Sequence, residues 1–407
     1  MYYKMNKILL YSEEKINWIN IDFKRYLFDD IINNKNKIIW VVGLRWIWKT
    51  TLLLQIAKIR KNSVYFSMDS SFIIWKSIFY IIEELSKNYK INNFFIDEIH
   101  KYKNWDQDLK TIYDFLPNVN IIFSGSSSID LIKWNYDLSR RWKLFKLEKF
   151  SFWEYLNFKH HIDLWEFELE EIIENYKSIS FNIFSKQKNI LELFKEYLNI
   201  WELGFSINND YRDYIEKLEN IINKIIYEDI SSFYRLKTEN ISYFFEILKF
   251  IANSSPSEIN YSNIAKLLNT TSNTVKSYFD ILIEIWFLNV MWKSGKISVQ
   301  LRKTKKIYFE MQNFMKIFFD DINTRNYIWV VRESFIASVL QKRWKIFYPK
   351  YWDIEFIKNN KLYIFEIWWK NKTDKQIKKI DNAYIISDDI GIAFDNKIPI
   401  WLFWLIK

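Results

Sequence analysis

Short apolar runs alternate with longer amphipathic stretches in the first part of the chain. Four runs have the length of buried strands: residues 37–42, residues 63–69, a run that ends at Asp97 and a run that ends at Ser124. Residues 50–61, TTLLLQIAKIRK, have helical length and end on basic residues, which suits the carboxyl end of a helix. This pattern predicts an α/β core with a parallel sheet, and we place it in residues 1–150.

The pattern becomes helical after this core. Residues 151–255 combine apolar and charged positions at helical spacing, as in YIEKLENIINKIIYEDI, and predict a helical lid region. Residues 256–310 predict a winged helix-turn-helix, with a second helix from about Asn273 to Ile285. The segments Leu288–Trp292 and Ile297–Arg302 would then pair around KSGK as the wing.

Residues 311–407 predict a helix, two strands and another helix. Carboxylates recur along them: Glu333 on the helix, Asp353 or Glu355 on the first strand, and Glu366 on the second. The spacing is similar to that of restriction-endonuclease-like domains, in which carboxylates hold Mg²⁺ for phosphodiester cleavage.

Such a site also needs a lysine two residues after its last carboxylate. Position 368 is Trp, and Lys370 lies two residues further. We therefore expect an inactive scaffold or recognition domain that kept the nuclease-like fold, with an active nuclease as the alternative.

The loop after the first predicted strand has the strongest chemical signature. Its sequence, GLRWIWKT, fits the phosphate-binding pattern G-x-x-x-x-G-K-[ST] except at the second glycine. A strand, this loop and a helix in that order form the context in which the pattern binds nucleotide phosphates. The predicted nucleotide-binding residues are Gly43, Leu44, Arg45, Trp46, Ile47, Trp48, Lys49, Thr50 and Thr51.

Polar residues at the loop and at two predicted strand ends suit ATP hydrolysis. Lys49 would contact the β- and γ-phosphates, and the Thr50 hydroxyl would ligate Mg²⁺. Asp97 would hold the same ion through its water shell, and Glu98 would polarise the attacking water. Ser124 is placed to contact the γ-phosphate or that water.

Tryptophan stands where the phosphate loop needs glycine, at positions 46 and 48. The chain has 20 Trp and 5 Gly, whereas ordinary usage predicts roughly 28 Gly in a chain of this length. Other tryptophans also lie at turns and element ends, but Trp105 and Trp401 lie in helical or apolar contexts. We hypothesise that most of these tryptophans are UGA codons that the native host reads as glycine. The alternative is a degenerate loop that binds no nucleotide.

Composition excludes several other chemistries. The chain has no cysteine and three histidines, so disulfides, thiolate catalysis and familiar zinc sites are not expected. No apolar run approaches 18 residues, so we expect a cytoplasmic protein without a membrane partner. The net charge of +10 is compatible with nucleic acid but does not establish it.

Three stretches resemble AAA-type ATPases of bacteria and archaea that carry an uncharacterised C-terminal domain: GLRWIWKTTLL, IDEIHKYKNWDQDLK and SGSSSIDLIKWNYDLSRR. The resemblance implies that Arg141 stabilises transition-state charge, in its own site or in a neighbour's. Residues 149–158, KFSFWEYLNF, resemble the family's exit from the ATPase core. Trp46, Trp48 and Arg140 depart from the small residues usual in the family.

The sequence thus predicts Mg²⁺-dependent ATP binding and hydrolysis that drives a conformational switch in a multidomain protein. DNA is a candidate partner through the winged helix, because Lys276 lies on its second helix and the region around the wing is basic: Lys293, Lys296, Arg302, Lys303, Lys305 and Lys306. A protein-contact role of the winged helix is the alternative, and the oligomeric state is left open. The alternative is a catalytically silent module that binds DNA or protein through its C-terminal half.

Overall fold

The computed structural model describes most of the chain in nine segments: residues 2–73, 76–125, 141–204, 211–234, 240–254, 259–295, 305–319, 324–368 and 380–406. The chain divides into two compact units, Met1–Lys149 and Phe150–Lys407. The predicted core boundary at residue 150 lies beside this division.

The N-terminal unit is built on a five-stranded sheet in the order β2-β3-β4-β1-β5, and every pairing is parallel. Its strands are β1 Ile38–Val42, β2 Ser63–Ser67, β3 Asn93–Asp97, β4 Asn120–Gly125 and β5 Trp142–Lys146. Its helices are α1 Tyr2–Trp18, α2 Phe28–Ile32, α3 Lys49–Ile59, α4 Ile78–Tyr89 and α5 Trp105–Phe115. The parallel sheet predicted for this part of the chain is therefore present.

The sequence pattern explains why four of these strands are recognisable. All five residues of β1 are buried, and β2, β3 and β4 are buried at every position after the first. Strands of a parallel sheet covered on both faces read as continuous apolar runs. The sequence pattern missed β5, WKLFK, because this edge strand is only partly buried and carries two lysines.

The C-terminal unit contains a seven-stranded mixed sheet in the order β12-β11-β10-β9-β8-β6-β7. Its strands are β6 Leu288–Lys293, β7 Lys305–Phe309, β8 Phe347–Tyr348, β9 Ile354–Lys358, β10 Lys361–Trp368, β11 Ala383–Ser387 and β12 Lys397–Pro399. A 3₁₀ helix, Ile400–Leu405, follows β12 and is entirely buried. Trp401 lies within it in the core, in agreement with its apolar context in the sequence.

Ten α-helices are described in the C-terminal unit. They are α6 Phe152–His160, α7 Leu169–Lys186, α8 Ile190–Ile200, α9 Tyr211–Lys224, α10 Ser231–Tyr234, α11 Ser242–Asn253, α12 Tyr261–Leu267, α13 Ser272–Glu284, α14 Gln312–Phe318 and α15 Thr324–Gln341. A π-helical turn, Ile225–Ile230, joins α9 to α10. None of the helices in the described segments is long and apolar enough to cross a membrane.

The predicted second strand of the wing, residues 297–302, lies outside the described residues, so the predicted pairing stays a prediction. The β6 strand pairs in antiparallel fashion with β7, so that Trp292 lies opposite Lys305. The β6 strand also pairs in parallel with β8, which joins these strands to the sheet of the predicted nuclease-like domain. Residues 256–310 and 311–407 therefore share one sheet, because sheet pairing depends on distant strands that a local pattern does not show.

Candidate nucleotide-binding site

The phosphate loop connects the carboxyl end of β1 to the first residue of α3. Gly43 has φ +155°, and a Cβ atom there would lie 2.3 Å from Ile47 Cδ1 and 2.4 Å from the Leu147 carbonyl oxygen. Only glycine fits so close an approach of two backbone segments. The first glycine of the pattern is thus required by the packing of the loop.

The second glycine position has the backbone conformation that glycine favours. Trp48 has φ 70° and ψ 33°, and it caps the amino end of α3; Trp46 has φ 67°. The left-handed region is a genuine outlier for a bulky aromatic residue and costs on the order of 1–3 kcal/mol. The Trp48 ring lies against Phe23, with their centroids 6.0 Å apart.

Trp286 shows the same signature outside the site. It follows α13, at the position where a helix usually ends in glycine, and its φ is 59°. No other tryptophan in the described segments has a positive φ. The backbone at positions 46, 48 and 286 has the conformation that glycine favours, and glycine decoding stays a hypothesis. Trp105 shows no such strain: it is buried and packs in a T-shaped arrangement against Trp40.

Asp97 is the centre of the site. Its Oδ2 atom accepts hydrogen bonds from the Thr50 hydroxyl at 2.5 Å and from the Tyr65 hydroxyl at 3.1 Å. Its Oδ1 atom accepts hydrogen bonds from the Ser124 hydroxyl and from the backbone N–H of Glu98. The structure thus brings the predicted Thr50, Asp97 and Ser124 together, because β3 lies beside β4 and α3 begins at the end of β1.

Lys49 is buried at the start of α3. Its ammonium donates to the carbonyl oxygens of Gly43 at 2.9 Å and Leu44 at 2.7 Å. These are acceptor oxygens of the loop itself, so the cation already lies where the loop would surround a phosphate group. Charge-assisted hydrogen bonds to phosphate oxygens would be stronger than those to neutral carbonyls.

Glu98 follows Asp97 in a left-handed conformation, with φ 51°, and caps a 3₁₀ helix, Ile99–Lys101. Its Oε2 atom lies 3.3 Å from Nε2 of His100. Glu98 is therefore placed beside Asp97 but paired to a neighbour on the same turn, a contact that sequence reasoning missed.

Arg141 does not come to this site. It precedes β5, whose first residue pairs with Ile38 at the amino end of β1, whereas the loop follows Val42 at the carboxyl end. The two ends lie roughly 13 Å apart, because a parallel strand rises about 3.3 Å per residue. The Arg141 guanidinium instead lies 3.5 Å from Asp114. Its expected role in its own site is wrong, and a role in a neighbour's site stays a prediction.

Sequence analysis also missed Tyr65, which lies at the centre of the site. Its hydroxyl shares Oδ2 of Asp97 with Thr50, and burial, followed by the charge of Asp97, raises the pKa of Tyr65 well above its usual value. The tyrosine stays a neutral donor. It is a strand residue within an apolar run, so only the neighbouring position of β2 and β3 identifies it.

The residues present fit ATP with Mg²⁺. A hydroxyl and a carboxylate are oxygen donors of the kind Mg²⁺ prefers, and a magnesium site usually completes its shell with phosphate oxygens and water. No group of three or more His, Cys, Asp or Glu side chains in the described segments is arranged to hold a metal ion by itself. A site with one protein carboxylate needs the nucleotide to complete it.

The carboxylates of the predicted nuclease-like region are also close together. Burial, followed by the charges of Glu333 and Glu366, raises the pKa of Asp353 to about 8. Asp353, rather than Glu355, is therefore the carboxylate that faces the other two.

A lysine that the nuclease-like spacing did not predict lies beside Glu333 of this cluster. Lys306 of β7 lies 2.9 Å from Glu333, and the Tyr308 hydroxyl donates to the same oxygen at 2.7 Å. The indole N–H of Trp368 donates to Glu366 at 2.7 Å. Lys370 lies outside the described residues.

The basic residues expected to meet DNA are partly engaged elsewhere. Lys306 is the ion-pair partner of Glu333, and the Lys305 ammonium is buried 3.6 Å from Asp280. Lys296, Arg302 and Lys303 lie outside the described residues. Two of the positive charges assigned to the wing therefore stabilise the fold.

Comparison with known proteins defines the class of the N-terminal unit. Residues 35–156 match the family model of an AAA domain, and residues 205–310 match a domain of unknown function, DUF8612. The first match contains the phosphate loop, Asp97 and Ser124, and it supports an AAA-type ATPase domain in the N-terminal unit. The second match crosses the predicted boundary at residue 256.

The chain is similar to the uncharacterized protein MJ1637 of Methanocaldococcus jannaschii, with 30% identity over 317 residues, which cover 74% of this chain and 66% of that protein. Solved structures with similarity include AMPPCP-bound DnaA from Aquifex aeolicus, with 16% identity, TM-score 0.27 and coverage of 66% of this chain and 91% of DnaA. The S. cerevisiae Hsp104–ADP complex has 13% identity, TM-score 0.34 and coverage of 67% and 40%. At these TM-scores the two structures add no detail to the fold.

Proposed function

We propose that the N-terminal unit binds ATP with Mg²⁺ and hydrolyses it. The supporting observation is the convergence of the Thr50 and Ser124 hydroxyls on Asp97, beside the buried Lys49. These groups come from two strand ends and one helix start, and they would supply the cation, the metal ligand and the sensor hydroxyl that phosphoryl transfer requires.

Each residue has a separate task in this proposal. Lys49 would bind the β- and γ-phosphates, while Thr50 would ligate the Mg²⁺ ion and Asp97 would hold it through its water shell. The bound Mg²⁺ would neutralise charge on the phosphate oxygens. Glu98 would orient the attacking water and accept its proton, and Ser124 would contact that water or the γ-phosphate.

The first test separates binding from hydrolysis. We expect Lys49→Ala to weaken ATP binding by roughly tenfold to a hundredfold, because it removes charge-assisted hydrogen bonds. Glu98→Gln should bind ATP with nearly unchanged affinity but hydrolyse it roughly a hundredfold or more slowly, because the general base is lost. Titration calorimetry and phosphate release measure the two effects. ATPase activity that neither change alters would refute the site.

The proposal includes glycine at positions 46 and 48 in the protein made by its native host. The mass of the loop peptide from native cells tests this directly. For the chain as printed, we expect the double change Trp46→Gly and Trp48→Gly to increase ATP affinity, because relief of the backbone strain lets the loop N–H groups surround phosphate. An unchanged lack of binding in the double variant would favour the silent binding module.

Hydrolysis would drive a conformational switch, with duplex DNA as the candidate partner of the helix pair α12 and α13. Lys276 lies on α13, the second helix of the pair. Binding to DNA should weaken steeply with salt, because phosphate contacts release counterions. The absence of duplex binding at low salt would exclude this partner.

A further inference from the structure

Arg25 connects the phosphate loop to the last residues of the N-terminal unit. The residue lies just before α2, and only 1% of its surface is exposed. One guanidinium nitrogen, Nη1, donates to the carbonyl oxygen of Ile47 in the loop. The other, Nη2, donates to the carbonyl oxygens of Glu148 at 2.7 Å and Lys149 at 3.3 Å.

The segment that Arg25 contacts is the exit from the AAA domain. The N–H of Leu147 donates to the carbonyl of Val42, the residue before the loop, at 2.7 Å. The adjacent Tyr26 hydroxyl accepts from the N–H of Glu148 at 3.1 Å and donates to the carbonyl of Lys146 at 2.9 Å. Residues 146–149 are therefore fastened to the loop side of the sheet before the chain enters the second unit.

The chemistry of arginine suits a rigid link. A guanidinium is planar, permanently charged and presents its donors in a fixed fork, so two nitrogens at fixed separation hold two backbone segments at fixed separation. A buried charge is retained only when its hydrogen bonds are satisfied. Movement of the Ile47 carbonyl would therefore either displace residues 148–149 or break a charge-assisted bond.

We propose that Arg25 is a positioning residue that holds the phosphate loop and links its conformation to residues 146–149. The link rests on the proposed function insofar as ATP is the ligand that moves the loop. Arg25 touches no reacting atom, and its effect passes through the backbone of Ile47. ATP bound at the loop would then change residues 148–149 of the exit segment through the Arg25 side chain.

Hydrogen–deuterium exchange of the full chain without nucleotide tests the link itself. We expect Arg25→Ala to accelerate exchange roughly fivefold to tenfold in peptides covering both residues 43–50 and residues 144–149. Arg60→Ala is the matched control, because Arg60 also donates to two backbone carbonyls, those of Ile31 and Ile32, away from the loop. The control should change neither peptide. Acceleration of the loop peptide alone would overturn the link.

Arg25→Lys keeps the charge, and it is the variant to use if Arg25→Ala does not fold. Its ammonium is a single point with three donors, so it cannot span the two carbonyl groups as the guanidinium does. ATP with MgCl₂ should protect both peptides in the unchanged chain. At equal occupancy in Arg25→Lys, ATP should protect the loop but not residues 144–149.

Equal protection of both segments in Arg25→Lys would refute the coupling. If neither the unchanged chain nor its Trp46→Gly, Trp48→Gly variant binds ATP, the proposed function fails. The nucleotide-free exchange of the alanine or lysine variant still decides whether Arg25 joins the two segments, so the two failures are distinguishable.

Discussion

Asp97 and Asp353 are carboxylates of the two units, and their surroundings differ in kind. Asp97 receives hydroxyl donors from Thr50, Tyr65 and Ser124. Asp353 receives one backbone N–H, from Ile367, and faces two other acids. Hydrogen bonds to the charged form stabilise a carboxylate, whereas burial beside like charges opposes ionisation.

The two surroundings prepare the two carboxylates for different chemistry. In the N-terminal unit, one acid is surrounded by donors that can also serve as ligands or sensors. In the C-terminal unit, Lys306 pairs with one of three acids, Glu333, and burial beside the charges of Glu333 and Glu366 raises the pKa of Asp353 to about 8. The first arrangement is prepared for a cation that arrives with its own phosphate oxygens. The second arrangement would have to release the proton of Asp353 before it could bind a cation.

The largest expected difference is in catalysis. We expect Asp97→Asn to reduce ATP hydrolysis roughly a hundredfold or more, because the anion that would retain Mg²⁺ is lost. Asp353→Asn should leave the rate within about twofold, since that cluster takes no part in the proposed reaction. Phosphate-release rates at saturating ATP measure both. Equal losses in the two variants would remove the functional distinction between the clusters.

The pH dependence of stability tests whether the pKa of Asp353 is raised in the folded protein. The folded-state pKa of Asp353 is about 8, whereas an unfolded Asp has a pKa of about 3.9. The folded state binds more protons between these values, so stability should fall as pH rises from about 4 to about 8. Asp353→Asn should remove much of this fall and raise the melting temperature at pH 8 more than at pH 5. Thermal unfolding at the two pH values is the measurement, and an equal shift at both would contradict the assignment.

The smallest expected effect concerns the tryptophans in left-handed conformation. Trp286→Gly lies outside the nucleotide site, so we expect only stability to change. The gain should be about 1 kcal/mol, the relief of the strained backbone less the added entropy of an unfolded glycine. Denaturant unfolding measures it, with Trp105→Gly as the control that should destabilise a buried, strain-free site. A loss of stability in Trp286→Gly would count against glycine at that position.

Local patterns singled out Thr50, Asp97 and Ser124, which the structure brings together, because each of them lies in a short, contiguous motif. The loop, the run ending at Asp97 and the run ending at Ser124 each have their own signature, and a parallel sheet brings strand ends to one edge. The family resemblance, not a local pattern, implied a role for Arg141, and the register of β5 places this residue at the opposite edge of the sheet. Local patterns also did not show that β6 takes both β7 and β8 as partners.

Spacing within a few residues is enough to identify the phosphate loop, the acids and hydroxyls at the strand ends, and the positions where tryptophan replaces an expected glycine. The folded protein adds three contacts that no local pattern shows: Tyr65 shares Asp97, Lys306 reaches Glu333, and Arg25 joins Ile47 to residues 148–149. Each of these contacts spans 20 or more positions of the chain, and sheet order, strand register and burial create them.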